Sequence, residues 1–474
     1  MANASAAKTE NIVRALSFTD RSGAKLELSN SCLMLEVCHV FNNVEARTQA
    51  LSYLERCFCL AVETEGHLHL SFEPFRRLCR SSRLNVTSEV EVLNAAEAWM
   101  ERDPEERSRF AAELIKTIRL PLLSPTVTKN LLSGKNLFSG CEKCVRHIRS
   151  VEEQISIDPA SVSLQNRYCD QENFDVLVCG GQGNTETSTV KFSTVYRLRR
   201  SDFSEAVALT ESERVKIPSK VVVVNRDVYA VTEGERAISI SRYSTAANRW
   251  YEPHAHPVGN QRVVSACAVA GSVYVSSLTY DPEEMVINHA EQSHVRFDPK
   301  SGRFEGRKGM REIRYMSACA VFGGEVAVVG GKHVETGTPR RTVEAYDPWG
   351  DAWSAMPDMV YARCPYSSAA VGNKLFVFGG RGGTVEVYDV VSRKFACFEL
   401  ERPPFAATGW YLGEMMAFGG KILVFSTVGL EMAFYDLEEG SWSEVTKVSS
   451  GDVREKLQRV HSIYFYSCLK LPHY

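Results

Sequence analysis

The chain has 474 residues, enough for two or three domains, and it carries a hydrophobic fraction of 44%, a charged fraction of 24% and a net charge of -3. The composition is ordinary for a globular protein, and the near-neutral charge argues against a broad nucleic-acid or membrane-surface footprint. The sequence contains no run of about 18 apolar residues, which argues against a membrane-spanning helix. Residues 1–20 lack the basic start and apolar core of a secretory signal. We therefore expect the 14 cysteines to be reduced thiols in the cytoplasm, with the nucleus as the alternative compartment.

Residues 30–150 have the spacing of helices. Ser88-x-x-Glu91 is a capping-box pattern, and Asp103-Pro104 and Ser124-Pro125 are start signals with proline at the first helical position. The residues after Ser88 that fall on one helical face are Val92, Leu93, Ala96, Trp99 and Met100. Several short amphipathic segments surround them, so the sequence predicts a compact helical bundle.

From about residue 170 the pattern changes to short apolar runs that end in small residues. Examples are DVLVCGG, DVYAV, SVYVSS, EVAVVGG, KLFVFGG and KILVFST. Each run is typical of a buried strand. The glycine pairs after three of these runs are Gly180-Gly181, Gly330-Gly331 and Gly379-Gly380. We expect them where strand backbones crowd and a Cβ would clash.

A repeat accounts for the order of these strands and the aromatic residues that follow them. The first aromatics are Tyr196, Tyr243, Phe297, Tyr346, Tyr388 and Tyr435; the second aromatics are Trp250, Phe304, Trp353, Phe395 and Trp442. The second set is spaced by 54, 49, 42 and 47 residues. Six units with a period near 50 and four short strands each are typical of a Kelch β-propeller. We expect the C-terminal SIYFYSCLKL to complete the first blade.

The two halves together resemble the Kelch-like family, in which BTB, BACK and Kelch domains follow one another. The segments that carry the BACK resemblance are NSCLMLEV, SSRLNVTSEVEVLNAAEAWM and IRLPLLSP. The predicted fold is thus a helical BACK-like domain at 30–150, a linker at 151–169 and a six-bladed propeller at 170–470. Residues 1–29 are too few for a complete BTB domain. The resemblance implies a substrate-recognition subunit of a cullin-RING ubiquitin ligase, in which BTB supplies most of the cullin contact and the first BACK helices a smaller one.

In relatives, the propeller binds partners through loops after the glycine pair and before the innermost strand. Carried over onto this sequence, the predicted partner-binding residues are Arg262, Arg314, Tyr315, Lys332, Arg363, Tyr366, Arg381, Trp410 and Tyr411. Such a rim would be basic with aromatic anchors, suited to a short acidic peptide. The alternative is that these are ordinary solvated loop residues.

The sequence favours no catalytic site, metal or cofactor. Cys141, Cys144 and His147 have zinc-like spacing, but no fourth ligand lies near, so ordinary helix cysteines are the preferred interpretation. Copper oxidases share the propeller fold, yet no histidine recurs at a fixed blade position. An actin-binding or cytoskeletal scaffold remains the alternative to the ligase adaptor, and a protein partner is expected in either case.

Overall fold

The computed structural model describes residues 26–157 and 174–472 apart from internal gaps, of which the longest are 199–205, 211–218, 280–291, 400–411 and 448–461. The chain divides into two compact units. The first is Met1–Asn173 with Pro472–Tyr474, and the second is Phe174–Leu471. Among the described residues, no helix combines the length and the apolar character needed to cross a membrane.

The first unit consists of short helices joined by tight turns. They are α1 (Leu28–Val40), α2 (Val44–Arg56), α3 (Phe58–Glu63), α4 (Phe72–Arg80), α5 (Glu89–Glu101), α6 (Pro104–Arg107), α7 (Ala111–Leu114), α8 (Pro125–Leu132) and α9 (Glu142–Ile157). Short 3-10 turns lie at Gly66–His69, Ser108–Phe110, Ile115–Thr117 and Leu120–Leu122.

The predicted helix starts are present, with one difference. Asp103 accepts a hydrogen bond from Glu106 N, and Ser124 accepts one from Val127 N, so both cap their helices. Ser88 also caps α5, accepting from Val90 N at 3.2 Å. The Glu91 carboxylate, expected to form the reciprocal half of the capping box, accepts a hydrogen bond from the Cys59 thiol.

Trp99 lies at the centre of the helical core. The predicted apolar face of α5 is buried, and Trp99 itself is 1% exposed. Its indole Nε1 donates to Leu70 O at 2.9 Å, Phe75 stacks on its ring, and the Arg107 guanidinium lies 4.3 Å from the ring centre. The tryptophan therefore combines a large buried apolar area with a satisfied N–H.

Helix α9 runs past the predicted end of the helical domain. It continues to Ile157, so a boundary at residue 150 falls inside the helix. The physical reason is apolar spacing: Cys144, Ile148 and Ile155 are buried, and Val151 packs against the same core.

The second unit is all-β, and the described strands form six antiparallel sheets of four or more strands. Sheet 1 contains β28 (Ser462–Pro472), β1 (Phe174–Asn184), β2 (Thr189–Leu198) and β3 (Ala206–Thr210), in that order. Sheet 2 contains β4 (Lys220–Val224), β5 (Asp227–Glu233), β6 (Ala237–Ser244), β7 (Arg249–Trp250) and β8 (His254–Pro257). Sheet 3 contains β9 (Gln261–Val269), β10 (Ser272–Thr279), β11 (Gln292–Asp298) and β12 (Arg303–Arg307).

The remaining sheets repeat this order. Sheet 4 contains β14 (Ala318–Phe322), β15 (Glu325–Val329), β17 (Val343–Asp347) and β18 (Ala352–Met356), with β13 (Arg314–Tyr315) and β16 (Lys332–His333) as a two-stranded extension. Sheet 5 contains β19 (Ser367–Val371), β20 (Lys374–Phe378), β21 (Thr384–Asp389) and β22 (Lys394–Glu399). Sheet 6 contains β23 (Leu412–Phe418), β24 (Lys421–Ser426), β25 (Glu431–Asp436), β26 (Ser441–Trp442) and β27 (Thr446–Lys447).

The first and second aromatics of the repeat lie directly opposite each other on the third and fourth strands. The five pairs are Tyr243 with Trp250, Phe297 with Phe304, Tyr346 with Trp353, Tyr388 with Phe395, and Tyr435 with Trp442. Their ring centres are 4.9–5.4 Å apart. Cross-strand aromatic pairs stabilise a sheet, which explains why the two positions repeat together.

Neighbouring sheets pack through their innermost strands. Contacts run from β4 to β9, from β9 to β14, from β14 to β19 and from β19 to β23. Leu177 on β1 packs against Val221, Val228 and Tyr243 of sheet 2. Sheet 1 also joins the last strand, β28, to the first, β1. We propose that this sheet closes a six-bladed ring.

Candidate functional site

The candidate site is one end of sheets 3 to 5, which we call the loop face. It comprises residues 311–317, 330–342 and 357–365 together with Arg262. In an antiparallel sheet the segment before the innermost strand and the loop between the second and third strands lie at the same end. The opposite end carries the tight turns at Phe322–Glu325 and Asp347–Ala352.

A glycine pair joins three segments of the loop face. Gly331 N donates to Arg363 O at 3.0 Å, Arg340 N donates to Gly331 O at 2.8 Å, and Arg363 N donates to Arg340 O at 3.0 Å. Both glycines have positive φ. A Cβ on Gly330 would lie 2.6 Å from Arg363 O, and one on Gly331 would lie 2.6 Å from Tyr315 O. The expected crowding is therefore present at this glycine pair. The backbone hydrogen bonds that the close approach permits hold the loops of sheets 4 and 5 together.

Arg314 is buried under the loop face and does not line it. Its side chain is 0% exposed and is paired with the Glu344 carboxylate. Its Nη1 also donates to Gly330 O and Thr342 O. The same Glu344 carboxylate accepts hydrogen bonds from the backbone N–H groups of Arg311 and Glu312. The pair thus anchors the loop before β14 to the third strand of its own sheet.

Arg363 repeats this arrangement in the next sheet. It pairs with Glu386 at 2.8 Å with both side chains 0% exposed, and Glu386 also accepts from Val360 N and Tyr361 N. The prediction that Arg314 and Arg363 grip a partner's carboxylates therefore needs correction. Each guanidinium already binds a buried carboxylate of the same sheet, so neither is available at the surface.

Three other predicted residues are accessible. Arg262 is exposed at the start of β9, and Tyr315 and Lys332 are half-buried cross-strand neighbours between β13 and β16. The structure therefore brings Tyr315 and Lys332 together. Arg262 lies on the adjacent sheet, sheet 3, at the position that Arg314 occupies in its own repeat. The predicted residues Tyr366, Arg381, Trp410 and Tyr411 lie outside the described residues, as does the structural marker Gly380.

Sequence reasoning missed Met316, which lies beside Tyr315. Its side chain is 61% exposed and its φ is +54°, a conformation uncommon for residues with a side chain. The turn back into β14 requires this backbone, and it directs a flexible apolar side chain outwards. No local sequence pattern marks a methionine as exposed, since most methionines are buried.

The loop face is not uniformly basic, because two of its arginines are paired with carboxylates. Arg340 pairs with Glu312 at 2.8 Å, and Arg341 pairs with Asp358 at 2.9 Å. Within the described residues, Lys332 forms no ion pair. The arrangement therefore places the Lys332 ammonium opposite the Tyr315 ring and near the exposed Met316 side chain. Such a surface suits a peptide that carries a carboxylate next to an apolar side chain.

The residues with zinc-like spacing lie in and just before α9. Cys144 is fully buried, and burial raises the pKa of its thiol to about 12. Across the part of the chain that the structure describes, no group of three or more His, Cys, Asp or Glu side chains is placed to hold a metal ion.

Comparison with known proteins agrees with this architecture. A family model described as BACK, BTB And C-terminal Kelch, matches residues 31–133. A second, described as the Kelch motif, matches residues 313–360 and 362–397, which cover sheets 4 and 5 and their loops. The chain combines a BACK region with Kelch repeats. This BACK–Kelch chain carries a helical region followed by antiparallel sheets in Kelch repeats, as its sequence predicts.

The chain is also similar to proteins whose names refer to Kelch repeats. Kelch-like protein 35 of Mus musculus is 20% identical, and the match covers 77% of this chain and 62% of that protein. Kelch repeat and BTB domain-containing protein 12 of Homo sapiens is 23% identical, with 70% of this chain and 56% of that protein covered. Kelch-like protein 26 of Mus musculus is 21% identical, with 75% and 51% covered. The BACK–Kelch chain thus spans between half and two thirds of the length of these relatives.

Proposed function

We propose that this BACK–Kelch chain is a non-enzymatic adaptor that binds a protein partner on the loop face and presents it to a cullin-RING ubiquitin ligase. The observation that carries the proposal is the occurrence of a BACK region and Kelch repeats in one chain. The loop face supports it, because Tyr315, Met316 and Lys332 are accessible side chains on a backbone held by hydrogen bonds. A preorganised surface loses little conformational freedom on binding.

The helical unit supports the second half of the proposal. Val40, Phe41 and Val44, at the junction of α1 and α2, are 61%, 54% and 58% exposed. Exposed apolar residues normally occur singly on a protein surface, whereas these three are neighbours and form a patch. We assign this patch to the cullin scaffold, since the family resemblance gives the first BACK helices a share of that contact.

Affinity purification with matched variants tests the loop face. The test variant combines Arg262→Glu, Tyr315→Ala and Lys332→Glu. The control combines Lys300→Glu, Arg303→Glu and Trp349→Ala, exposed residues at the opposite end of sheets 3 and 4 with the same change in charge and aromatic content. We expect the test variant to lose partner proteins that wild type and control both recover. Equal recovery by all three would contradict the assignment of the loop face.

Cullin binding is tested separately. The test variant is Phe41→Asp, which removes the aromatic ring of the apolar patch. The control is Ile157→Asp at the end of α9, because Ile157 is also an exposed apolar residue, at 76%. We expect Phe41→Asp to weaken co-precipitation of a cullin and the control to leave it unchanged. If wild type recovers no cullin above background but pellets with actin filaments, the cytoskeletal alternative replaces the ligase adaptor.

A further inference from the structure

Two cysteines meet between sheets 3 and 4. Cys267 on β9 and Cys319 on β14 are 52 residues apart in the chain, and their Sγ atoms are 3.1 Å apart. Both are thiols in this structure. A disulfide has an S–S length of about 2.05 Å, so an approach of roughly 1 Å would bring them to bonding distance.

The pair occupies equivalent positions of two consecutive repeats. Cys267 lies five residues after Arg262, and Cys319 lies five residues after Arg314. Because these innermost strands pack against each other, equivalent residues face each other across the junction. The Cys319 Sγ is also 3.5 Å from Ala266 O, so β14 is already in close contact with β9 at this point.

The surroundings favour a reaction between these two sulfurs. Cys267 is 7% exposed, whereas Cys319 is half-buried and is the sulfur that a small oxidant reaches first. Behind them lies an apolar cluster that includes Tyr274, Tyr346 and Trp353. An oxidised Cys319 therefore has Cys267 as an immediate sulfur neighbour.

We propose that Cys267 and Cys319 form a reversible disulfide that cross-links sheets 3 and 4 under peroxide. Hydrogen peroxide oxidises the Cys319 thiol to a sulfenic acid, with release of one water. The Cys267 sulfur then attacks the sulfenic sulfur, the S–O bond breaks, and a second water leaves. Peroxide is the oxidant and is reduced to two waters, while the two thiols lose their protons and two electrons.

The cross-link would tie together the two strands that lead from the loop face. Arg262 is the second residue of β9, and Tyr315 lies three residues before β14. Fixing their strands would fix the spacing between the loops of sheets 3 and 4. The chemistry itself does not rest on the proposed function, and its readout is independent of partner binding.

Peptide mapping of the full chain tests the inference. Trypsin releases Cys267 within residues 263–296 and Cys319 within residues 315–332, and each peptide contains a single cysteine. After treatment with hydrogen peroxide and alkylation of the remaining thiols, we expect the two peptides to appear joined under non-reducing conditions. Dithiothreitol should separate them. Cys319→Ser should abolish the joined species, and Cys397→Ser, which changes a half-buried cysteine on β22, should leave it unchanged.

A control shows whether the folded structure brings the two cysteines together. Protein unfolded in urea before oxidation should give a much lower yield of the joined peptide. We also expect a higher melting temperature for oxidised wild type than for reduced wild type, with no such shift in Cys267→Ala. Irreversible oxidation of Cys319 without a joined peptide, or an equal yield from unfolded protein, would overturn the proposal.

Discussion

Replacing Arg363 with methionine tests whether the buried ion pairs hold the loop face in place. Arg363 and Glu386 are 2.8 Å apart and both fully buried. Methionine has a similar length but no charge, so the variant leaves a buried carboxylate that, among the described residues, accepts hydrogen bonds from the Val360 and Tyr361 N–H groups. Removing one partner of a buried pair costs about 3–5 kcal/mol, because the desolvated charge left behind is uncompensated.

The assay is urea unfolding followed by tryptophan fluorescence. Of the six tryptophans only Trp99 precedes residue 174, so the signal reports mainly on the second, all-β unit. The control is Arg341→Met, which breaks an exposed pair with Asp358 and should cost at most about 1 kcal/mol. Adding Glu386→Gln to Arg363→Met removes the stranded charge and should recover part of the loss. Similar free energies of unfolding for Arg363→Met and Arg341→Met would refute the reasoning.

Two further predictions concern stability. Burial lowers the pKa of His67 from 6.5 to about 4, so between these pH values the unfolded chain binds a proton that the folded helical unit does not. The free energy of unfolding should therefore fall as pH drops from 6.5 towards 4, by up to roughly 3 kcal/mol; circular dichroism melts should show this in wild type and a smaller slope in His67→Leu. Gly331→Ala should lower the melting temperature, since φ is +90° and a Cβ would meet Tyr315 O, whereas Gly306→Ala, with open space around it, should melt like wild type. A normal melt for Gly331→Ala would show that the loop face relaxes without cost.

Much of the fold follows from local patterns. The caps at Asp103 and Ser124 depend on residues within one turn, and the aromatic pairs depend on a strand period of two and a short turn. Both kinds of pattern are complete within a few residues, so the sequence is sufficient to predict them.

The candidate site depends on contacts that are distant in sequence. Arg314 and Arg363 look like surface cations because the buried carboxylates that pair with them are distant in the chain, although Arg314 also has Glu312 two residues away, at 3.4 Å. Their partners, Glu344 and Glu386, are 30 and 23 residues further on. A signal was nevertheless present, since both glutamates occur in the repeated pattern Val-Glu-x-Tyr-Asp of the same two units that contain the arginines. A charged residue at a buried strand position calls for an opposite charge nearby.

Site-specific photo-crosslinking tests whether partner proteins bind at the loop face. A benzophenone amino acid placed at Tyr315 lies on the loop face, and the same amino acid at Trp349 lies at the opposite end of sheet 4. We expect partner proteins to cross-link from position 315 and not from position 349. Cross-linking from position 349 alone, or with equal yield from both, would contradict it.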